Sequence, residues 1–218
     1  MQGSVVLVGA TGLVGAECLR LLLVDPAFAR IVVLARRPLD GVDASPKLVA
    51  HVVDFDHLEA YADLFTADQL ICCLGTTIGK AGSKERFRAV DYGFPMALAK
   101  LGAERGVRHF LLVSALGANA RSRVFYNKVK GELEDALSAL PFRSLSIVRP
   151  SLLLGERREF RFGEKVAQRL AFLMPGRYAA IAAPDVAAAL VRLAKEDAPG
   201  RHIVESAEMK AWARPQAG

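Results

Sequence analysis

The sequence predicts an α/β fold, a doubly wound parallel sheet with helices on both faces and a small C-terminal lobe. Three observations predict it. Short β-branched runs alternate with amphipathic stretches from about residue 4 to 205. Those runs are apolar at every position rather than at every second one, as for strands buried on both faces. The first run leads directly into Gly9, Gly12 and Gly15, a G-x-x-G-x-x-G loop. Apolar strands joined by helical crossovers make right-handed βαβ units, and these build one sheet covered on two sides.

Taken in order, residues 4–8 (SVVLV) form the first buried strand. Residues 13–24 have helical apolar spacing and stop at Asp25-Pro26. Residues 31–35 (IVVLA) are the second strand, ended by Arg36-Arg37-Pro38. A shorter third strand covers 49–53, before Asp54-Phe55-Asp56, and 57–65 is a weak helix. Residues 70–74 (LICCL) are the fourth strand, closed by Gly75. A long helix over 83–105 is bent near Gly93-Phe94-Pro95. Strand five is 109–113, and a helix over 124–140 carries Lys128, Glu132 and Asp135 on its polar face. Strand six is 144–148. Helices follow at 164–173 and 185–195, with a turn at Met174-Pro175-Gly176 and a short last strand at 202–204. The polar, Ala-rich tail after Glu205 is expected to be partly unordered.

Composition bounds the reading. With 218 residues, 52% of them hydrophobic and 24% charged, one domain with a full core is expected, residues 150–205 forming its small substrate-side lobe. The net charge of +6 permits anionic ligands without selecting one. Three cysteines, two of them adjacent in an apolar run, argue against a disulfide framework and for a reducing, cytoplasmic setting. No apolar run approaches the ~20 residues of a membrane span. No basic segment precedes the first apolar stretch, so no secretory signal is expected. There is no repeat and no low-complexity block.

The glycine loop carries the first chemistry. Gly9 permits a tight strand-to-helix turn. Gly12 lets backbone amides approach a pyrophosphate, and Gly15 lets the helix pack close to the sheet. The amides of Thr11, Gly12, Leu13 and Val14 then face an anion at the positive end of a helix. The bland alternative is a tight glycine turn without a ligand. Strand two ends on Arg36 and Arg37, where an NAD site would carry an acid for the ribose hydroxyls. Two guanidiniums favour a 2′-phosphate instead, and so NADP(H). After strand three, Asp54 and Phe55 are placed beside the adenine, with a helix cap as the plainer role for Asp54.

Tyr126 and Lys130 form Y-x-x-x-K on a predicted helix, one turn apart on one face. A neighbouring ammonium and an oxidised nicotinamide favour phenolate, so such a tyrosine can exchange a proton with a substrate oxygen while hydride moves. Ser114, twelve residues upstream at the end of strand five, is placed to hold that oxygen.

Gly9–Gly15, Ser114 and Tyr126/Lys130 together resemble a short-chain dehydrogenase/reductase. The closer resemblance is to the atypical branch that includes the Tat-interacting protein. Its residues are Cys73-Leu74-Gly75-Thr76-Thr77, Val90-Asp91-Tyr92, 113–118 (VSALGA), 126–132 (YNKVKGE) and 149–154 (RPSLLL). The resemblance implies a Rossmann domain that binds NADP(H). Leu74, Gly75 and Thr76 line the cofactor, the Pro150–Leu152 turn lies by the nicotinamide, and Lys130 holds the nicotinamide ribose. Two positions depart from the pattern. Related enzymes often carry a second serine where this chain has Ala115. The asparagine of the main branch's catalytic tetrad has no match, Asp91 being a positional candidate.

The remaining features read more plainly. Residues 143–177 hold eight Arg or Lys against three Glu, with Arg157, Arg158 and Arg161 clustered. A solvated loop is favoured there over an anion clamp. Phe160 and Phe162 alone do not make a nucleic-acid surface. The histidines lack metal-ligand spacing, and Cys72 and Cys73 read as core. The leading reading is an NADP(H)-dependent oxidoreductase of a small carbonyl, quinone or hydroxyl compound, working as a monomer or homodimer. A dinucleotide-binding regulator without turnover comes second. Epimerase chemistry comes last, because sugar-nucleotide enzymes usually need a larger C-terminal domain.

Overall fold

The computed structural model describes residues 3–154 and 179–213. Its first half runs β1 (Gly3–Val8), α1 (Leu13–Val24), β2 (Phe28–Ala35), β3 (Leu48–Val52), a 3-10 helix (Leu58–Phe65) and β4 (Gln69–Cys72). Then come α2 (Ile78–Ala81), α3 (Lys84–Arg88), a π turn (Ala89–Gly93), α4 (Phe94–Glu104), β5 (His109–Val113) and α5 (Phe125–Ser138). The rest is β6 (Ser144–Arg149), β7 (Leu153–Leu154), β8 (Ile181–Ala182), α6 (Ala183–Glu196), β9 (Gly200–Glu205) and α7 (Ser206–Ala213).

Seven parallel strands form one sheet in the order β3-β2-β1-β4-β5-β6-β9. Alternate residues of β1 feed opposite layers, because successive side chains of a strand point to opposite faces. Val5 and Leu7 pack with Cys18 and Leu22 of α1 and with Val186 and Leu190 of α6. Val6 and Val8 pack with Leu98 of α4 and with Leu133 and Leu137 of α5. The chain winds outward from β1 towards β3 on one side and from β4 towards β9 on the other. The crevice beyond the carboxyl ends of β1 and β4 is therefore the topological switch point, where such sheets take their ligands.

Two expectations are corrected. The helix expected over 83–105 is α3, a π turn and α4. In a regular α-helix the Pro95 ring would meet the carbonyl of Asp91 and no N–H would answer it; Pro95 instead falls in the first turn of α4, directly after the π turn. The tail after Glu205 is not unordered as far as Ala213 but forms α7. Met209 is fully buried, Trp212 one turn on lies under the Arg192 guanidinium at 4.2 Å, and Lys210 Nζ donates to Ala179 O at 2.8 Å. Within 150–205, α6 packs on the main core and β9 pairs with β6 as the seventh strand. Among the described residues, β7 and β8 form a separate two-stranded ribbon. The expected helix at 164–173, the turn at 174–176, Arg157, Arg158, Arg161, Phe160 and Phe162 lie outside the described residues.

Candidate active site

Gly9 sits at φ +88°, and a Cβ there would stand 2.7 Å from the backbone carbonyl of Cys73 at the end of β4. A Cβ on Gly15 would stand 2.1 Å from Gly9 O. Both glycines are thus required by close backbone approach. Gly12 is the N-cap of α1 and offers no capping side chain, and the first turn holds no acid. Ala16 N makes the bond to Gly12 O, leaving the amides of Leu13, Val14 and Gly15 without helical acceptors. Thr11 and Gly12 are exposed. Narrow, uncapped and free of competing carboxylate, this cradle fits a pyrophosphate.

Arg36 and Arg37 follow β2 and are exposed, with no carboxylate paired to either among the described residues. Asp54 is exposed as well, and its Oδ1 accepts from Asp56 N at 3.0 Å, an Asx turn. The Phe55 ring is buried, tilted against Phe94 with centroids 5.4 Å apart, so only its backbone is free to line a ligand.

Tyr126 and Lys130 lie in the first two turns of α5, beyond the ends of β4 and β5. Lys130 Nζ is 2.8 Å from Asp91 Oδ1, and both side chains are almost wholly buried. Asp91 comes from the π turn, and its Oδ2 accepts from Thr76 N at 2.9 Å. Gly75 passes beside this pair, a Cβ there standing 3.5 Å from Asp91 Oδ1. Leu74 packs onto the α4/α5 layer. Burial acts to lower the Lys130 pKa, but Asp91 outweighs it and the lysine is held above its ordinary value. The Tyr126 phenol is held above its ordinary value. Burial pushes it above 10.0; Lys130 pulls it down and Asp91 pushes it up again. Its ring lies tilted against Phe87 of α3, with centroids 5.5 Å apart.

Ser114 is buried just past β5, and its Oγ donates to Glu134 Oε1 at 2.5 Å. Glu134 in turn holds Arg149, with Nε at 3.1 Å from Oε1 and Nη2 at 2.5 Å from Oε2. Pro150 O accepts from Leu116 N at 2.8 Å, which ties the two strand-end loops together, and Leu152 is exposed. Cys72 and Cys73 are free thiols on opposite layers; burial raises Cys72 to about 11, and a hydrogen bond with Cys18, then burial, raises Cys73, so neither is poised as a thiolate.

Sequence reasoning missed Glu134, although Tyr126, Lys130 and Glu134 share one face at spacings of four. It also missed Gly131, where a Cβ would stand 2.2 Å from Ala120 N. That contact seats α5 directly on the loop after β5 and sets the height of Tyr126 above the sheet edge.

The HIM1 family pattern matches residues 27–174. HTATIP2 of Rattus norvegicus is 36% identical over 211 residues, which is 95% of this chain and 87% of the relative. The mitochondrial protein FMP52 of Candida albicans is 38% identical over 173 residues, 77% of this chain and 75% of that one. Among solved structures, MoeE5 in complex with UDP-glucose and NAD superposes with a TM-score of 0.72 at 15% identity, covering 92% of this chain and 75% of that one. WbmG of Bordetella bronchiseptica in complex with NAD gives 0.70 at 15% identity, covering 97% and 76%. These establish the Rossmann fold. The expected cytoplasmic setting is corrected: fungal relatives are named mitochondrial, which points away from the cytoplasm. No helix among the described residues is long and apolar enough to cross a membrane.

Proposed function

Since the chain belongs to the HIM1 family, within the atypical short-chain dehydrogenase/reductases of the HTATIP2 branch, we propose that it is an NADP(H)-dependent oxidoreductase of a small carbonyl, quinone or hydroxyl compound. The observation that carries this reading is the open amide cradle of the glycine loop at the same sheet edge as Tyr126 and Lys130. The cofactor, when bound, supplies or takes up the hydride. The loop amides hold its pyrophosphate, and Arg36 and Arg37 take the 2′-phosphate with Asp54 and Phe55 nearby. Gly75, Thr76, Pro150 and Leu152 line the path towards the nicotinamide end. Tyr126 exchanges the proton with the substrate oxygen, and Lys130 steadies the charge left on the phenol. Ser114 holds that oxygen once its hydroxyl turns from Glu134, which keeps Arg149 as a partner.

One observation favours a second reading, a dinucleotide-binding regulator without turnover. The single Ser114 proton is already given to Glu134, and Ala115 supplies no other hydroxyl. Titration with NADPH and NADH, followed by nicotinamide fluorescence, tests both readings. NADPH binds more tightly, and Arg36→Ala or Arg37→Ala weakens it about tenfold while leaving NADH nearly unchanged. Absence of binding by either nucleotide overturns both readings. Binding with no turnover of any aldehyde, ketone or quinone, and no effect of Tyr126→Phe, selects the regulator.

A further inference from the structure

Of the charged groups at the site, Asp91 has no task in the function proposed above, yet it is the most deeply placed. Its carboxylate is fully buried in the π turn, held by Thr76 N at 2.9 Å on one oxygen and by Lys130 Nζ at 2.8 Å on the other. An asparagine in that place would leave Lys130 a net positive charge facing Tyr126. An aspartate makes the pair neutral.

We propose that Asp91 is a positioning residue that cancels the Lys130 charge and so commits this site to donating a proton from Tyr126 to a carbonyl, making carbonyl compounds the substrate class. The inference rests on the oxidoreductase reading and narrows it.

The groups around the phenol are few. From α5 there is Lys130, and from the π turn Asp91. From β4 comes the neutral thiol of Cys72, which lies close enough to sense both members of the pair. On α3, Phe87 presents a ring, Lys84 sits over Phe125 at 5.4 Å, and Arg88 is spent on Glu132 at 2.5 Å. Of these charged groups, Lys130 and Asp91 are the two that act on Tyr126. A buried phenol beside a neutral pair keeps its proton at neutral pH. The step balances simply. Hydride adds to the carbonyl carbon, the Tyr126 O–H bond breaks as its proton goes to the carbonyl oxygen, and solvent later restores that proton. The reverse step needs a phenolate at the outset, which this arrangement disfavours.

Tyrosinate absorbance of the full chain, less that of Tyr126→Phe, reads this ionisation without any cofactor. Asp91→Asn keeps the size and can keep the bond from Thr76 N. It is expected to lower the Tyr126 ionisation by about one to two pH units. The alkaline limb of NADPH-dependent aldehyde reduction falls with it. Lys130→Met, which leaves Asp91 unopposed, is the second variant and moves the ionisation upward. No shift in either variant, or an upward shift in Asp91→Asn, overturns the assignment. Nucleotide binding without these shifts sinks the Asp91 role alone. The shifts without nucleotide binding sink the oxidoreductase reading, and this proposal with it.

Discussion

Glu134 and Arg149 form a forked ion pair that ties the middle of α5 to the last residue of β6. The same carboxylate accepts from Ser114, so one buried acid joins the helix that carries Tyr126 to the loop after β5 and the end of β6. Its partner is a fifth exposed and Glu134 itself is buried, so the pair is a costly arrangement to break from one side.

Glu134→Ala is expected to cost about 3 kcal/mol, the lower end for a buried pair broken from one side, because Arg149 reaches solvent and keeps Glu205 at 4.0 Å. Glu134→Gln, which still accepts from Ser114, should cost less. Urea unfolding of the two variants measures the difference, and equal costs would remove the Ser114 bond from the account.

Gly15→Ala is expected to destabilise the fold by about 1–3 kcal/mol, the usual range for forced overpacking. The new methyl would meet Gly9 O, a rigid backbone atom, at 2.1 Å. Dinucleotide affinity should fall along with the melting temperature. Gly41→Ala is a contrast: its Cβ meets nothing, and strain comes only from φ +68°. It should lower stability with nucleotide binding unchanged.

His109 should make the fold acid-sensitive. Its ring is buried at the amino end of β5, with Nε2 2.9 Å from Ser146 Oγ and Nδ1 3.2 Å from Asp197 Oδ1. Burial lowers its pKa from 6.5 to about 4, with Asp197 opposing and His202 and Arg143 adding to the fall. A folded pKa below the unfolded one means that the unfolded chain binds the proton first. The stabilisation is thus fully present above 6.5 and is lost as pH falls towards 4. About 3 kcal/mol is at stake, from the constant of ~1.4 kcal/mol per pH unit. Asp25 and Asp68, also lowered, contribute further down, as pH drops past their ordinary 3.8. Denaturant unfolding across this pH range should show the loss in the parent chain and a flatter profile in His109→Gln.

Much of the fold was legible because its signals are local. Residues 13–24 and 109–113 were bounded in the structure as the sequence indicated, since a glycine loop, Asp25-Pro26 and a β-branched run act within a few residues of themselves. The tail differs from its expectation for the opposite reason. Ser206–Ala213 has weak apolar character of its own, and its helix is held by Met209 in the core and Trp212 against Arg192 of α6. The sequence marks an irregularity near Gly93-Phe94-Pro95, but the π turn that places Asp91 inward depends on packing beyond that stretch.

The glycine spacing, the two guanidiniums after β2 and the one-turn separation of Tyr126 from Lys130 are readable from the chain alone, because each depends on residues close in sequence. The charge that Tyr126 feels is not, and comes from how the fold packs. That charge depends on burial and on Asp91, which arrives from a different crossover to meet Lys130 at 2.8 Å. Helical periodicity fixes which side chains share a face. Electrostatics in a buried site depends on every charge within a few ångströms, whatever its distance along the chain.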